Sequence, residues 1–89
     1  MIGELITVVK LTLYSKKECL LCDTVKKELN DLRKELSFSI TEVDIEIDRE
    51  SFEKYKNLIP VIEINGEIMF TGRIDKDRLK NALRQMSLP

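Results

Sequence analysis

The sequence lacks histidine and tryptophan altogether, and its 89 residues include only three glycines, two prolines and two cysteines. The scarcity of glycine and proline, beside 43% hydrophobic and 35% charged residues, excludes a disordered chain and favours a compact fold rich in regular structure. A chain of this length buries roughly 60–65% of its unfolded surface, which is enough for one modest core. We therefore expect one domain that spans residues 1–89.

An excess of charge of one sign is also missing, because 15 basic residues face 16 acidic ones and the net charge is −1. Without a basic field, the chain is not expected to bind nucleic acid. No apolar run is long enough to span a bilayer, and the run in residues 1–10 is too short for a secretory signal and contains Glu4. We expect a cytoplasmic protein with no membrane or nucleic-acid partner, acting as a monomer.

Both cysteines lie in the segment KKECLLCDTVKK, residues 16–27, and two leucines separate them. In a reducing cytosol, two close thiols are more typical of a catalytic or metal-binding pair than of a permanent cross-link. A zinc site usually has four ligands, and this chain offers no histidine and no third cysteine. Redox chemistry by Cys19 and Cys22 is therefore the first hypothesis. A metal ion held with carboxylates or between two chains, and two buried inert cysteines, are the alternatives.

The residues after the first cysteine predict a helix, because five apolar side chains recur at helical spacing: Leu21, Val25, Leu29, Leu32 and Leu36. With the helix advancing about 100° per residue, Cys19 lies about 120° from the centre of this stripe and Cys22 about 60° from it. Cys19 should then face solvent, and Cys22 should lie at the edge of the core. A dithiol oxidoreductase requires such a pair, with one accessible sulfur that attacks and one shielded sulfur that resolves. The helix N-terminus would stabilise the attacking thiolate.

The first half of the chain predicts two strands around that helix, followed by a second helix. One strand covers residues 11–15, with room for an extension back through residues 7–9. The strand in residues 38–47 changes its alternation near Glu42, which predicts a bulge or the end of the strand there. Asp48 is placed to cap a short helix that turns Phe52 and Tyr55 inward.

The second half predicts a hairpin and a last helix. Asn65-Gly66 between two apolar runs is a strong hairpin signal, because both turn positions need φ > 0. Asp75 is placed to cap a helix whose buried face comprises Leu79, Ala82, Leu83 and Met86. The order is therefore β-α-β-α-β-β-α, with a right-handed parallel first half and an antiparallel end. This is an α/β fold with a mixed four-stranded sheet flanked by helices.

The motif LYSKKECLLCD, an isoleucine-proline before a strand, a hairpin and TGRIDKDRL together resemble the thioredoxin-like fold. Within that fold the chain is similar to the small glutaredoxin-like proteins with a Cys-x-x-Cys-Asp site, over residues 11–86. The resemblance implies a thiol–disulfide oxidoreductase of cell redox homeostasis that needs no bound cofactor and uses Cys19 and Cys22. It also implies a cis bond between Ile59 and Pro60 that faces the dithiol and leaves the Ile59 backbone free to pair with a substrate strand.

Departures from the family pattern predict weak binding of glutathione. Glutaredoxins that use glutathione have Pro-Tyr between the cysteines, Thr-Val before the cis-proline, and Gly-Gly ahead of an acidic pair near the last helix. The corresponding pairs in this chain are Leu20-Leu21, Leu58-Ile59 and Gly72-Arg73. Lys16 does match the lysine that meets a glutathione carboxylate in that family. We expect protein disulfides to be the better substrates.

Thioredoxins carry a tryptophan before the first cysteine and a buried aspartate six residues before it, where this chain has Glu18 and Leu13. Leu20 lies about 140° from the stripe centre, so we expect an exposed apolar rim beside Cys19 for a protein substrate. The predicted substrate-binding residues are Lys16, Leu20, Ile59, Pro60 and Gly72. The expected partners are protein disulfides and an external reductant, either a reductase or glutathione. The alternative function is a non-enzymatic module that holds a metal ion or an iron–sulfur cluster between two chains.

Overall fold

The computed structural model describes residues 9–87, without the side chain of Ser87. Over this range the elements follow the predicted order: β1 (Val9–Ser15), α1 (Leu20–Leu32), β2 (Phe38–Asp44), α2 (Arg49–Tyr55), β3 (Val61–Ile64), β4 (Glu67–Thr71) and α3 (Lys76–Ser87). The expected extension of the first strand reaches Val9, and its part at residues 7 and 8 lies outside the described residues. None of the helices in the described range is long and apolar enough to cross a membrane.

The strands form one mixed sheet in the order β2-β1-β3-β4. β1 and β2 pair in parallel, from Val9 opposite Phe38 to Ser15 opposite Asp44, and α1 connects them. β3 runs antiparallel to β1 and to β4. This arrangement confirms the predicted α/β architecture with a mixed four-stranded sheet.

Alternation along β1 divides its side chains between the two faces of the sheet. Leu11 and Leu13 are buried in the same cluster as the inward residues of α1 and α3, such as Leu29 and Leu79. Tyr14 points to the other face, where its ring centroid lies 4.6 Å from that of Tyr55 in α2. Two helices therefore cover one face of the central strand and the third covers the other.

Of the two outcomes predicted near Glu42, the bulge is absent and the end of the strand lies close by. β2 keeps an unbroken register with β1 and ends at Asp44, two residues beyond Glu42. The alternation changes phase because the chain leaves the sheet there, so that Ile45 is buried while Ile47 is 83% exposed. The register shift lies instead between β3 and β4, at Ile62.

The short helix α2 differs from the prediction in its inward face. Tyr55 is partly buried as expected, but Phe52 is 36% exposed, and the buried residue of α2 is Ser51. Asp48 occupies the N-cap position, yet its carboxylate accepts a hydrogen bond from the Ser51 hydroxyl rather than from a backbone N–H. The packing of Tyr55 on Tyr14 sets the rotation of this helix of seven residues, and Phe52 is left at its rim.

The hairpin and the last helix form as predicted. Asn65 and Gly66 have φ values of 51° and 89°, the left-handed pair that this turn requires. The Asp75 carboxylate accepts a hydrogen bond of 2.9 Å from the backbone N–H of Asp77, as a helix cap does. The predicted inward residues of α3 are buried or packed against the core: Leu79, Ala82, Leu83 and Met86.

Candidate active site

Cys19 lies at the N-terminus of α1, close after the end of β1. It is the N-cap residue, with an extended backbone (φ −129°, ψ 105°). Its Sγ accepts a hydrogen bond from the backbone N–H of Cys22 at 3.2 Å. Sulfur therefore takes the place of the serine or aspartate oxygen common at this position, within the positive end of the helix dipole.

Cys22 is fully buried, whereas Cys19 is partly exposed. The two residues form a disulfide, and their Cα atoms are 5.2 Å apart. The predicted asymmetry of exposure is confirmed. The predicted stripe was wrong at Leu21, which is 36% exposed. Cys22 itself takes the inward position in its place, because residues three, seven and ten places after it form the buried face of α1: Val25, Leu29 and Leu32.

Glu18, immediately before Cys19, adopts a left-handed backbone with φ of 56°. This conformation costs an L-residue with a β-carbon roughly 1–2 kcal/mol, and glycine adopts it without that cost. The loop thus enters α1 through a strained residue that is directly bonded to the exposed cysteine.

Replacing Glu18 with glycine is expected to stabilise the protein. Glu18→Gly should raise the free energy of unfolding by about 0.5–1 kcal/mol, because it removes the clash of the β-carbon. Glu18→Ala is the matched control, since it removes the carboxylate and keeps the β-carbon, and its stability should stay within about 0.5 kcal/mol of wild type. Urea unfolding of the three oxidised proteins gives the comparison. Equal stabilities of the two variants would contradict the assigned strain.

The segment before β3 forms the second part of the site. The bond between Ile59 and Pro60 is cis, which confirms the prediction for this bond. Pro60 is buried, and Gly72, with φ of 72°, donates its N–H to the carbonyls of Pro60 at 2.9 Å and Leu58 at 3.1 Å. Three of the predicted substrate-binding residues are therefore brought together: Ile59, Pro60 and Gly72.

The pairing of β1 with β3 places this segment at the same edge of the sheet as the cysteine loop. Tyr14 is opposite Val61 in the antiparallel register. Pro60 precedes Val61, and Ser15 follows Tyr14, so the segment before β3 and the segment after β1 lie side by side at this edge of the sheet. The loop that carries Lys16 and Cys19 starts from there. Contact between Pro60 and the dithiol remains a prediction.

The Ile59 backbone is less free than the resemblance implies. Its N–H donates to the carbonyl of Tyr55 at 3.1 Å, and the N–H of Leu58 donates to the same carbonyl at 2.8 Å. The last carbonyls of a helix lack intrahelical partners, and here the following loop supplies them. A substrate strand that pairs with Ile59 must use its carbonyl or displace the bond to Tyr55.

The two predicted substrate-binding residues beside Cys19 differ in exposure. Leu20 is the first residue of α1 and is 85% exposed, as its helical phase predicted. Lys16 is partly buried in the loop before Cys19. Two further exposed apolar side chains, Ile47 and Phe52, line a groove after β2 that periodicity did not reveal.

Tyr14 was not predicted to have a polar partner. Its hydroxyl donates to the Glu63 carboxylate at 3.2 Å. Burial, together with the negative charge of Glu63, raises the pKa of Tyr14 to about 12. Because Tyr14 also packs on Tyr55, it ties β1 to β3 and to the end of α2 that precedes the cis bond.

A second polar cluster, also unpredicted, lies on the face of the sheet that α1 covers. The Glu42 carboxylate accepts a hydrogen bond from the buried Ser15 hydroxyl at 2.9 Å and pairs with the Lys26 ammonium at 2.7 Å. The Lys26 ammonium lowers the pKa of the Glu42 carboxyl against the opposing effect of burial, and Ser15 acts in the same direction as Lys26. The only sequence signal is that Glu42 stands where an apolar residue would continue the pattern of Phe38 and Ile40.

Residues 10–84 match the family model described as Glutaredoxin-like domain (DUF836). The chain belongs to this glutaredoxin-like family. A glutaredoxin-like protein of Dictyostelium discoideum is 32% identical over 77 residues, which are 80% of this chain and 71% of that protein. The resemblance drawn from the cysteine motif is thereby confirmed.

Solved structures confirm the thioredoxin-like fold of this glutaredoxin-like chain. A mutant thioredoxin from Halobacterium salinarum NRC-1 matches it with a TM-score of 0.73 at 17% identity, over 91% of this chain and 76% of that chain. A structural genomics target protein from X. campestris matches with a TM-score of 0.72 at 28% identity, over 89% of this chain and 99% of that chain.

Proposed function

We propose that this glutaredoxin-like protein is a dithiol–disulfide oxidoreductase that acts on protein disulfides. The observation that carries the proposal is the unequal exposure of two cysteines that form a disulfide at the N-terminus of α1. One sulfur is accessible to a substrate, and the other is shielded until the first has reacted. Membership of a glutaredoxin-like family supports the same redox-type function.

The reaction proceeds by two thiol–disulfide exchanges. The Cys19 thiolate attacks one sulfur of the target disulfide, so that a Cys19–substrate bond forms and the other substrate sulfur leaves as a thiolate. The Cys22 sulfur then attacks Cys19, the mixed disulfide breaks, and the second substrate sulfur leaves. The substrate gains two electrons, and the protein is left with the Cys19–Cys22 disulfide.

An external reductant, either a reductase or glutathione, returns the two electrons and restores the dithiol. No bound cofactor takes part in these exchanges. Both reacting sulfurs belong to one chain, so a monomer is sufficient. The cycle suits a reducing compartment such as the cytoplasm, where cysteine pairs are kept reduced between turnovers.

The helix N-terminus favours Cys19 as the nucleophile. The backbone N–H of Cys22 points at the Cys19 sulfur, and an N–H donor and a helix dipole both stabilise a thiolate. The 85% exposed Leu20 next to it offers an apolar contact to a protein substrate. The segment from Leu58 to Pro60 accepts two hydrogen bonds from the N–H of Gly72 and forms the rest of the proposed docking surface for the protein substrate.

Two features of the site disfavour glutathione. Asp75 lies near the last helix, where glutathione-binding glutaredoxins carry an acidic pair, and its carboxylate already accepts a hydrogen bond from the backbone N–H of Asp77. Arg73 is exposed where a glutathione-binding glycine stands in glutaredoxins, and its positive charge repels that amino group. The fit therefore favours a protein disulfide over a glutathione mixed disulfide.

We expect the wild-type protein to catalyse the reduction of a protein disulfide and to act at least about tenfold more slowly on a glutathionylated peptide. That factor corresponds to about 1.4 kcal/mol of lost binding, comparable to one poorly satisfied charged group. Arg73→Gly should reduce the difference in turnover rate between the two substrates, because it speeds turnover of the glutathionylated peptide alone. Arg73→Lys, which keeps the positive charge and the β-carbon, is the control and should leave that difference unchanged.

Steady-state turnover of both substrates by the three proteins decides between the outcomes. No catalysis of protein disulfide reduction by the wild type would reject the proposed function. Efficient reduction of the glutathionylated peptide that Arg73→Gly does not improve would instead assign an ordinary glutaredoxin activity.

A further inference from the structure

The segment from Leu58 to Pro60 lies outside the helices and strands, between the end of α2 and the start of β3. Its backbone is part of the proposed docking surface, so a substrate strand can pair with it only when it keeps one conformation. Connecting segments are more mobile than the elements they join unless hydrogen bonds or packing hold them. The contacts that hold this segment therefore bear on the proposed function.

Two sets of hydrogen bonds hold the segment from opposite sides. The N–H groups of Leu58 and Ile59 both donate to the carbonyl of Tyr55, at 2.8 and 3.1 Å. The N–H of Gly72, after β4, donates to the carbonyls of Leu58 and Pro60 at 3.1 and 2.9 Å. Neither set uses the Ile59 carbonyl, which is the group left for a substrate strand. The position of the Tyr55 carbonyl thus fixes one side of the docking segment.

Tyr55 is in turn held by the ring of Tyr14. It is the last residue of α2, a helix of seven residues that is too short to be stable without tertiary contacts. The two ring centroids are 4.6 Å apart and the rings are tilted by 45°. An aromatic pair in this range attracts beyond what the burial of its area contributes. Phe52, one turn earlier, is 36% exposed and contributes less burial to hold the helix.

Tyr14 is itself fixed on three sides. It lies in the central strand β1, where it is opposite Val43 of β2 and Val61 of β3. Its hydroxyl donates to the Glu63 carboxylate at 3.2 Å, which orients the ring on the α2 face of the sheet. The chain continues from Tyr14 through Ser15 into the loop that carries Cys19. One residue therefore leads into the cysteine loop through its backbone and supports the docking segment through its side chain.

We propose, on the basis of the proposed function, that Tyr14 is a positioning residue for the docking of the protein substrate. Its ring holds Tyr55, and the Tyr55 carbonyl then keeps Ile59 in the conformation with which a substrate strand pairs. Tyr14 takes no part in the thiol–disulfide exchanges, in which Cys19 and Cys22 remain the reacting groups. Its loss should weaken the binding of a substrate that needs this backbone and should leave the chemistry unchanged.

Tyr14→Leu removes the ring and keeps an apolar side chain. We expect KM for a protein disulfide to rise about tenfold, in line with the loss of one aromatic contact, and kcat to stay within about twofold of wild type. The reaction of the reduced variant with dithiobis(nitrobenzoate) should also stay within about twofold, because this small disulfide has no strand to pair. Steady-state turnover and rapid mixing measure the two effects.

Three further variants assign the effect to the ring contact. Tyr14→Phe keeps the ring and loses only the hydroxyl, so its KM should stay within about twofold of wild type. Tyr55→Leu removes the other ring and should raise KM by the same factor as Tyr14→Leu. The double variant should be no worse than either single one, because both break one contact. Leu32→Ala opens a cavity in the core at the opposite end of α1 from Cys19, and this general loss of stability should leave KM unchanged.

Amide hydrogen exchange of the oxidised protein, followed by NMR, tests the position of the segment without any substrate. In Tyr14→Leu the N–H groups of Leu58 and Ile59 should exchange about tenfold faster than in wild type, because the carbonyl that they share is less firmly held. The N–H of Asn65, which donates to the Lys10 carbonyl at 2.8 Å beside the hairpin turn, should keep its rate.

Exchange of the two amides at the wild-type rate in Tyr14→Leu would overturn the proposal, and so would a KM within about twofold of wild type. A KM of Tyr14→Phe as high as that of Tyr14→Leu would also overturn it, because the hydroxyl and not the ring would then be responsible. If Tyr14→Leu does not fold, the same criteria apply to Tyr55→Leu. A wild-type protein that does not reduce protein disulfides would reject the proposed function, whereas the exchange rates test separately whether Tyr14 holds the segment.

Discussion

Cys22→Ser is expected to accumulate covalent complexes with its substrates, whereas Cys19→Ser should form none and should lose at least about a thousandfold in turnover. Cys19 is the partly exposed cysteine of the pair, and the N–H of Cys22 donates to its sulfur. Without the second sulfur, the mixed disulfide on Cys19 has no internal attacker and persists. Without the first, the remaining thiol is fully buried and does not meet a substrate disulfide.

Non-reducing electrophoresis after incubation with a protein disulfide, followed by mass spectrometry of the cross-linked peptides, measures this directly. The double variant with both serines is the blank for non-specific adducts. Complexes formed through Cys22 in the Cys19→Ser protein would reverse the assigned roles. An absence of complexes in every variant would instead point to the alternative in which the two thiols hold a metal ion or a cluster between chains.

The second large effect is expected in the core beneath the site. Leu29→Ala should lower the free energy of unfolding by about 2–5 kcal/mol, because it opens a cavity among side chains that hold α1 on the sheet. Leu29 is 1% exposed and Leu20, on the same helix, is 85% exposed. Leu20→Ala removes the same atoms from the surface and should change stability by less than about 0.5 kcal/mol.

Denaturant unfolding of both oxidised variants tests the comparison. Similar stabilities of the two would mean that α1 is not packed on the sheet as described.

The same pair of variants separates the effect on stability from the effect on substrate docking. Leu20→Ala should slow the reduction of a protein disulfide while its unfolding curve stays at the wild-type position, because Leu20 is proposed to touch the substrate and not the core.

Features that depend on one short segment could be predicted from the residues alone. The hairpin at Asn65-Gly66 and the cap at Asp75 follow from the chemistry of two or three neighbouring residues. The unequal exposure of Cys19 and Cys22 follows from helical periodicity, which operates over the length of one helix. The family resemblance added the cis bond at Pro60, which no local pattern requires.

The predicted burial of a side chain was wrong where a neighbouring element decides the orientation of its helix. Leu21 and Cys22 are both apolar enough to face inward, and the position of α1 on the sheet selected Cys22. Phe52 is turned outward because the rotation of α2 is set by the contact of Tyr55 with Tyr14, a residue 41 places earlier in the sequence. Periodicity within one element contains no information about such a contact.

The sequence by itself therefore determined the order of the elements and which sulfur is accessible, because both depend on patterns repeated within single helices and strands. Only the tertiary structure decided that the Ile59 N–H donates to the Tyr55 carbonyl and that the Glu42 carboxylate meets Ser15 and Lys26. The physical reason is that polar side chains acquire their partners from the register of strands and the placement of helices. Ser15 and Glu42 are 27 residues apart, and the parallel register of β1 and β2 brings them within one hydrogen bond.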